Sequence, residues 1–450
     1  MKHIKFIFLS LAGFIFFLMP IELNNESKIM ISHIVDVVNN HLFDPFILMT
    51  TIMAWFVLIM TLLFTVISTK NQWLNDLFKA SPLNVFLRVS GSFLYLMLMN
   101  EWFSHTSIGS VILDPYTGGV MAGEGGLLTT LYITFLVGIL ALPLLTHFGV
   151  VEFLGTLLGP VVVKVFKVPG YSTIDAIASF VGDGTIGIVV TDQQYQRGYY
   201  NRREAYIIAT SFSIVGIAFA AAVAEELSFG HIFPVFYGAI VLITIILAFI
   251  TSRLPLKKFT PTYYAGTTPK TVDVPTDQSL ISYSYQLAIE QASRVKIVDV
   301  IKEAVTNVLN IYIGFLPIIM TVGTLSLIVA EYTAFFSVIS APFIYLYEWF
   351  GYGAETAQLM APATLAGFAD MYLPALFITN ATSEASRFFI GVLAFTQLVF
   401  LSETGMILVK TKIGLNFFDI IKVFLFRTLL SIPLLYLLTE VLVYFNVISF

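Results

Sequence analysis

Runs of about twenty apolar residues recur along the whole chain, the length a helix needs to cross a hydrocarbon core of roughly 30 Å. Between them there is little to hold a soluble surface. Of 450 residues, 58% are hydrophobic and 11% are charged, against about 25% charged in a soluble globular protein. The mean hydropathy is +0.88. The runs are continuous rather than alternating, which excludes a β-barrel. The expected fold is an all-α polytopic membrane protein with about ten transmembrane helices.

The chain has no cysteine, so disulfides and thiolate metal sites are impossible. Its six histidines are scattered, without His-x-x-x-His or Glu-x-x-His spacing. No basic stripe exists outside loops, so a nucleic-acid partner is not expected. Residues Met1 to Pro20 join Lys2 and Lys5 to an apolar run. No small-x-small cleavage site follows before Asn24, so a retained first helix is expected rather than a cleaved signal peptide.

Two apolar stretches are too interrupted to cross a membrane as single helices. Ala178–Thr191 holds Gly182, Asp183, Gly184 and Gly187; Ala357–Thr379 holds Gly367, Asp370 and Pro374. Continuous runs surround them: Ile4–Met19, Phe46–Ile67, Leu83–Glu101, Leu127–Thr146, Glu204–Val223, Ile232–Ser252, Asn307–Ala330, Phe335–Phe350, Phe388–Val409 and Asp419–Phe445. Arg253–Lys302 is polar and reads as a linker with an amphipathic helix near Tyr283–Val300.

Basic residues favour the cytoplasmic side. His147–Arg203 carries Lys164, Lys167, Arg197, Arg202 and Arg203, whereas Glu331–Ser386 carries no Lys or Arg. The first interrupted segment is therefore expected to dip in from the cytoplasm and the second from outside. This predicts scaffold helices over 1–126 and a first repeat over 127–252 with a re-entrant hairpin at 171–191. A cytoplasmic linker over 253–306 precedes a second, inverted repeat over 307–450 with a hairpin at 357–379. Short motifs recur between the halves: Leu142-Pro143 and Leu316-Pro317, Gly170-Tyr171 and Gly351-Tyr352, then Asp183 and Asp370. Two inverted repeats with interrupted segments at matching places are the plan of secondary transporters.

Acidic groups are costly in hydrocarbon, so those on broken segments face a partner, an ion or water. Asp183 lies between Gly182 and Gly184, where backbone groups can face a ligand, and Thr185 adds a hydroxyl. Asp370 has the corresponding place in the second hairpin, with Phe368 nearby. The alternative reading of both carboxylates is a satisfied polar cap. Asp175 reads as a helix cap with Ser172. Thr210 and Ser213 share a helical face and either pack against neighbours or line a cation site. Gln397 and Glu403 interrupt an apolar run and are candidates for a permeation path. Arg427 lies inside the last run without a local acidic partner. Met121, Met360, Met371 and Met406 are soft ligands in principle, but methionine in a core is ordinarily filler.

Catalysis is not expected. Metalloprotease spacings are absent, Gly91-Ser92 and His105 do not form an intramembrane serine-protease pattern, and no glycine-rich phosphate loop with lysine exists. No cofactor is expected beyond a coupling ion, Na⁺ or H⁺.

The runs Pro169–Gly182 and Thr191–Ser213, together with Ala363–Pro374, resemble the YjiH-like membrane proteins. These carry the Gate, or nucleoside-recognition, domain shared with concentrative nucleoside transporters, ferrous-iron transporter gates and spore-maturation membrane proteins. In nucleoside transporters a Gly-Gln-Thr-Glu hairpin tip contacts the base; Gly182, Asp183, Gly184 and Thr185 stand at the similar place. Its Gln and Glu are not kept, so the resemblance does not imply nucleoside specificity. Asn201-Arg-Arg-Glu204 resembles the following Thr-x-Ser-Glu element, which implies a binding role for Glu204. Phe368-Ala369-Asp370 resembles a Phe-Ala-Asn element, although internal symmetry instead pairs Asp370 with the first hairpin. The expected activity is coupled transport of a small polar solute (nucleoside-like, amino acid or peptide) across a bacterial cytoplasmic (inner) membrane. The alternative is a non-catalytic Gate-type subunit working with a second membrane protein. The resemblance also implies a homo-oligomer.

Overall fold

A computed structural model describes residues 2–450 apart from 24–25, 68, 116, 123–126, 182–183, 215, 255, 257, 266, 270–277 and 402–403. The fold is all-α, with one short antiparallel pair, Ile21–Leu23 with Glu26–Lys28, in which Ile21 faces Lys28.

Among the described residues, five helices are long and apolar enough to cross a membrane: Phe43–Val66, Pro82–Met99, Gly230–Arg253, Ile297–Val329 and Phe417–Tyr444. The pair Leu131–Thr146 and Val150–Phe166, bent by 58°, makes a sixth if taken as one span. The protein is a multi-pass membrane protein. The remaining apolar runs form shorter pieces because the chain breaks inside them. Glu204–Val223 becomes Arg202–Ser211 and Ile217–Glu226, and Phe388–Val409 becomes Glu384–Gln397 and Thr404–Lys410. Residues Lys2–Leu18 form one helix, which packs on the linker helix Leu280–Arg294.

The outer helices show how a membrane protein divides its faces. In Phe43–Val66 the buried positions are Thr50, Ala54, Val57, Thr61 and Phe64, a helical stripe of mostly small residues. Leu48, Ile52, Ile59 and Leu62 are exposed on the remaining surface. Lipid solvates large apolar side chains, so small residues are the ones left for close helix packing. Thr50 Oγ1 hydrogen-bonds Tyr95 Oη at 2.7 Å, joining this helix to Pro82–Met99.

From Leu127 onward each half lists the same elements. The first runs Leu127–Ala141 with Pro143–Thr146, then Val150–Phe166, a hairpin of Ser172–Val181 and Gly184–Gln196, the broken pair above, and Phe233–Arg253. The second runs Ile297–Asn310 through a π turn into Leu316–Tyr332, then Phe335–Trp349, a hairpin of Ala354–Ala366 and Leu373–Ile378, its broken pair, and Phe417–Tyr444. Hairpin arms of 10 and 13 residues rise only about 15–20 Å at 1.5 Å per residue, too little to cross.

The linker differs from the expected single helix at Tyr283–Val300. It holds Leu280–Arg294, then a break at Val295-Lys296, and position 306 falls inside the helix that starts at Ile297. Met121, Met360 and Met371 are fully buried in the apolar core.

The two halves meet where Tyr312 Oη donates to the Tyr132 carbonyl at 2.5 Å, with their rings edge-to-face at 4.6 Å. Tyr312→Phe keeps the ring and loses this bond, so it should cost about 1 kcal/mol. Thermal unfolding of the detergent-purified protein checks this, and an unchanged melting temperature would refute it.

Candidate functional site

A helix that stops inside an apolar core leaves its last carbonyls without intrahelical partners. Both broken helices do this, and one side chain answers both. Arg427, in the last spanning helix, is 1% exposed. Its Nε donates to the Thr396 carbonyl at 2.7 Å and its Nη1 to the Thr210 carbonyl at 3.0 Å. Thr396 lies in the last turn of the helix Glu384–Gln397 and Thr210 in the last turn of the helix Arg202–Ser211. The cation thus sits at two negative helix ends, which favour positive charge. Backbone carbonyls, not an acid, are the partners that the sequence left unidentified.

The second break is held by its own backbone and by the second hairpin. Leu398 follows with a left-handed φ of 66°, unusual for a side chain of this size. Thr404 Oγ1 donates to the Leu398 carbonyl at 3.0 Å, and the Leu401 amide donates to the Phe368 carbonyl at 2.8 Å. Gln397 is buried; its Nε2 donates to the Thr364 carbonyl at 2.8 Å and to Thr428 Oγ1 at 3.0 Å. Its Oε1 is buried and has no partner among the described residues. A Cβ on Gly367 would overlap that oxygen, so glycine lets the hairpin approach it.

The first hairpin reaches the first break in the same manner. A Cβ on Gly187 would overlap Ser179 Oγ on the opposite arm and would lie 3.4 Å from Ser213 Oγ in the break. Its second arm packs on Thr404–Lys410, and the Lys412 amide donates to Asp192 Oδ1 at 2.7 Å. The hairpin of one half therefore touches the broken helix of the other.

Against this frame the sequence candidates separate. Gly182, Asp183 and Glu403 lie outside the described residues, and for Gly184 and Thr185 only the backbone, at the start of Gly184–Gln196, is described. Thr210, Ser213 and Gln397 gather at the breaks. Thr210 Oγ1 is turned to the Tyr206 carbonyl at 2.7 Å, so its main chain rather than its hydroxyl meets Arg427. Asp370 is buried at the second hairpin's tip, where Oδ1 accepts the Tyr372 amide at 2.8 Å. Phe368 packs on Phe424, with ring centroids 4.9 Å apart.

Glu204 is elsewhere. It forms a reciprocal capping box, its Oε2 accepting the Asn201 amide at 2.8 Å and its own amide donating to Asn201 Oδ1 at 3.0 Å. Asp175 departs from the expected cap with Ser172: it is buried and accepts the Tyr200 hydroxyl at 2.5 Å. Ser172 Oγ instead donates to the Pro169 carbonyl at 2.7 Å.

Glu226 and its partner Thr379 were missed in the sequence. Glu226 ends the first broken helix, and its Oε1 accepts Thr379 Oγ1 from the second hairpin at 3.3 Å. Tyr372 is fully buried, and its hydroxyl has no partner among the described residues that meets hydrogen-bond geometry. Glu226 looked like the end of an apolar run, and nothing local links it to a segment 150 residues on.

A protein of Alkalihalophilus pseudofirmus, "Uncharacterized protein BpOF4_10220", is 35% identical over 450 residues, spanning 98% of this chain and 95% of that protein. The chain belongs to its family. The Gate family model, described as nucleoside recognition, matches residues 128–230. That match takes in the first hairpin and both pieces of the first broken helix, so the Gate match of this chain lies in its first half. Among solved structures, a doubly substituted CNTnw in an outward-facing state is similar at a TM-score of 0.45 and 14% identity, covering 94% of this chain and 100% of that one. CNTnw in an inward-facing substrate-bound state gives 0.41 at 11% identity, covering 90% and 96%.

A Cβ at Gly187 would have to displace Ser179 Oγ and would press on Ser179 Cβ at 3.0 Å. Gly187→Ala should cost about 1–3 kcal/mol by overpacking, whereas Gly238→Ala, with nothing within 4 Å of the added carbon in the helix Phe233–Arg253, should keep or raise the melting temperature because alanine favours a helix interior. Equal melting temperatures for the two variants would refute the tight crossing.

Proposed function

We propose that this protein is a secondary active transporter for a small polar organic solute, coupled to Na⁺ or H⁺, in the bacterial cytoplasmic membrane. The observation that carries the reading is the pair of helix breaks bridged by Arg427, each beside a re-entrant hairpin. Irregular backbone at membrane depth is tolerated where it is buried in protein or lines a cavity, and transporters use such breaks to hold ions and solutes. The order of elements repeats in the two halves, and the distribution of basic residues supports opposite orientations.

Asp370 and Asp183 supply the negative charge in this reading, the first buried at its hairpin tip. Gln397 Oε1, lacking a partner among the described residues, is an acceptor for an ammonium, hydroxyl or amide donor of the solute. Two carboxylates suit cationic or zwitterionic solutes as well as nucleosides. The Gate match over residues 128–230 supports solute recognition in the first half.

The test is the melting temperature of the purified protein against nucleosides, amino acids, dipeptides and polyamines, each with and without Na⁺. A true ligand at 100 times its Kd should stabilise the native state by about 2.7 kcal/mol. In proteoliposomes, Asp183→Asn should abolish coupled uptake of that solute while leaving the unliganded melting temperature intact. A flat panel in both ionic conditions, or full coupled uptake by Asp183→Asn, would refute the reading.

A further inference from the structure

Beside Arg427 lies a cavity of about 340 Å³ that no hairpin residue lines. Its wall comes from the ends of three helices and the start of the linker: Tyr206, Thr251, Lys258, Phe259, Lys422 and Arg427 among them. Phe259 and Tyr206 stack face to face, ring centroids 4.2 Å apart, forming one flat apolar side. Lys258 Nζ lies 5.6 Å from the centre of the Phe259 ring, and the Arg202 guanidinium lies 5.3 Å from it.

The charges in this wall do not cancel. Three cations, Lys258, Lys422 and Arg427, face one carboxylate, Asp419. That carboxylate is already used: Lys258 donates to Oδ2, and the same oxygen accepts the Asn416 amide at 2.8 Å in a capping box. Arg427 spends two donors on the Thr396 and Thr210 carbonyls. Its Nη2 is buried and has no partner among the described residues. A buried guanidinium donor left over in a wall with excess positive charge calls for an anion.

We propose that this cavity binds a phosphate group, either as the headgroup of an anionic lipid or as a soluble phosphate compound. Guanidinium and ammonium groups are the side chains that recognise phosphate, and basic pockets between helices on the cytoplasmic side take anionic headgroups. The polar linker begins beside the cavity, with Lys258 and Phe259 in its wall, which puts the opening on the basic face of the membrane. Because Arg427 also holds both helix breaks, an anion here would be felt at the ends of the broken helices.

The experiment compares sources and residues together. Melting temperature is titrated with inorganic phosphate against chloride at matched ionic strength in a neutral detergent. In parallel, phosphatidylcholine nanodiscs are compared with nanodiscs that also contain phosphatidylglycerol. Wild-type protein should be stabilised saturably by phosphate, by phosphatidylglycerol, or by both. A response to lipid alone assigns the headgroup, and a response to phosphate alone assigns a soluble ligand. Lys422→Gln should weaken the response roughly five- to tenfold. Lys258→Gln should weaken it further, because it leaves Asp419 unpaired beside the anion. Arg253→Gln, an exposed cation at the same membrane face but outside the wall, should match wild type. No saturable response to either probe, or Lys422→Gln and Arg253→Gln behaving alike, overturns the proposal.

Discussion

Two helices end within the protein core, and a single buried guanidinium makes both ends tolerable. Without Arg427 the Thr210 and Thr396 carbonyls would lose the donors they have, and each unsatisfied buried backbone group costs on the order of 1–3 kcal/mol. The cation itself bears a large desolvation cost. Neither side of the arrangement is stable alone, so each enforces the other. The geometry of the breaks, and of the hairpins packed on them, therefore depends on where the last spanning helix holds residue 427.

The outer helices need no such device. Their backbones are satisfied along an unbroken helix, their large apolar side chains face lipid, and their small residues face neighbours. Polar chemistry is concentrated instead where helices stop, around Gln397, Asp370, Thr364 and Thr428. Apolar packing and polar chemistry are thus divided spatially. Continuous helices carry the first and interrupted ones the second, as expected when helix ends are the main source of unpaired backbone groups at membrane depth.

The sequence was informative about elements and poor about partners. Gly182, Gly184 and Gly187 marked the first hairpin because three glycines cannot sit comfortably in a spanning helix, and Gly367 with Pro374 marked the second. The break at 212–216 was invisible: Phe212, Ser213 and Ile214 read as a continuous apolar face, and Gly216 alone looks like close packing. The break after Gln397 was equally hidden, because Leu398 adopts its left-handed φ under tertiary constraint rather than by preference. Arg427 could not be paired from sequence since its acceptors are backbone carbonyls, which every residue has. Asp175 was read as a cap because Ser-x-x-Asp fits that pattern locally, whereas Tyr200 lies 25 residues away in sequence and adjacent in space.

The halves repeat the order of their elements without repeating their chemistry. At the first break the hairpin approaches through Gly187 toward Ser213, with hydroxyls as the nearest polar atoms. At the second it approaches through Gly367 toward Gln397, whose amide bridges the Thr364 carbonyl and the Thr428 hydroxyl. Only the second break carries a left-handed non-glycine residue among the described positions of either break. A conformation held against its own preference needs surrounding contacts to maintain it. Those contacts come from Thr404, at the start of the helix after the break, and from the Phe368 carbonyl at the tip of the second hairpin. A displacement of that hairpin would therefore remove a support of the Leu398 conformation, whereas no described residue of the first break carries a comparable strain. The two breaks are joined at Arg427, whose guanidinium holds the Thr396 carbonyl of the second and the Thr210 carbonyl of the first.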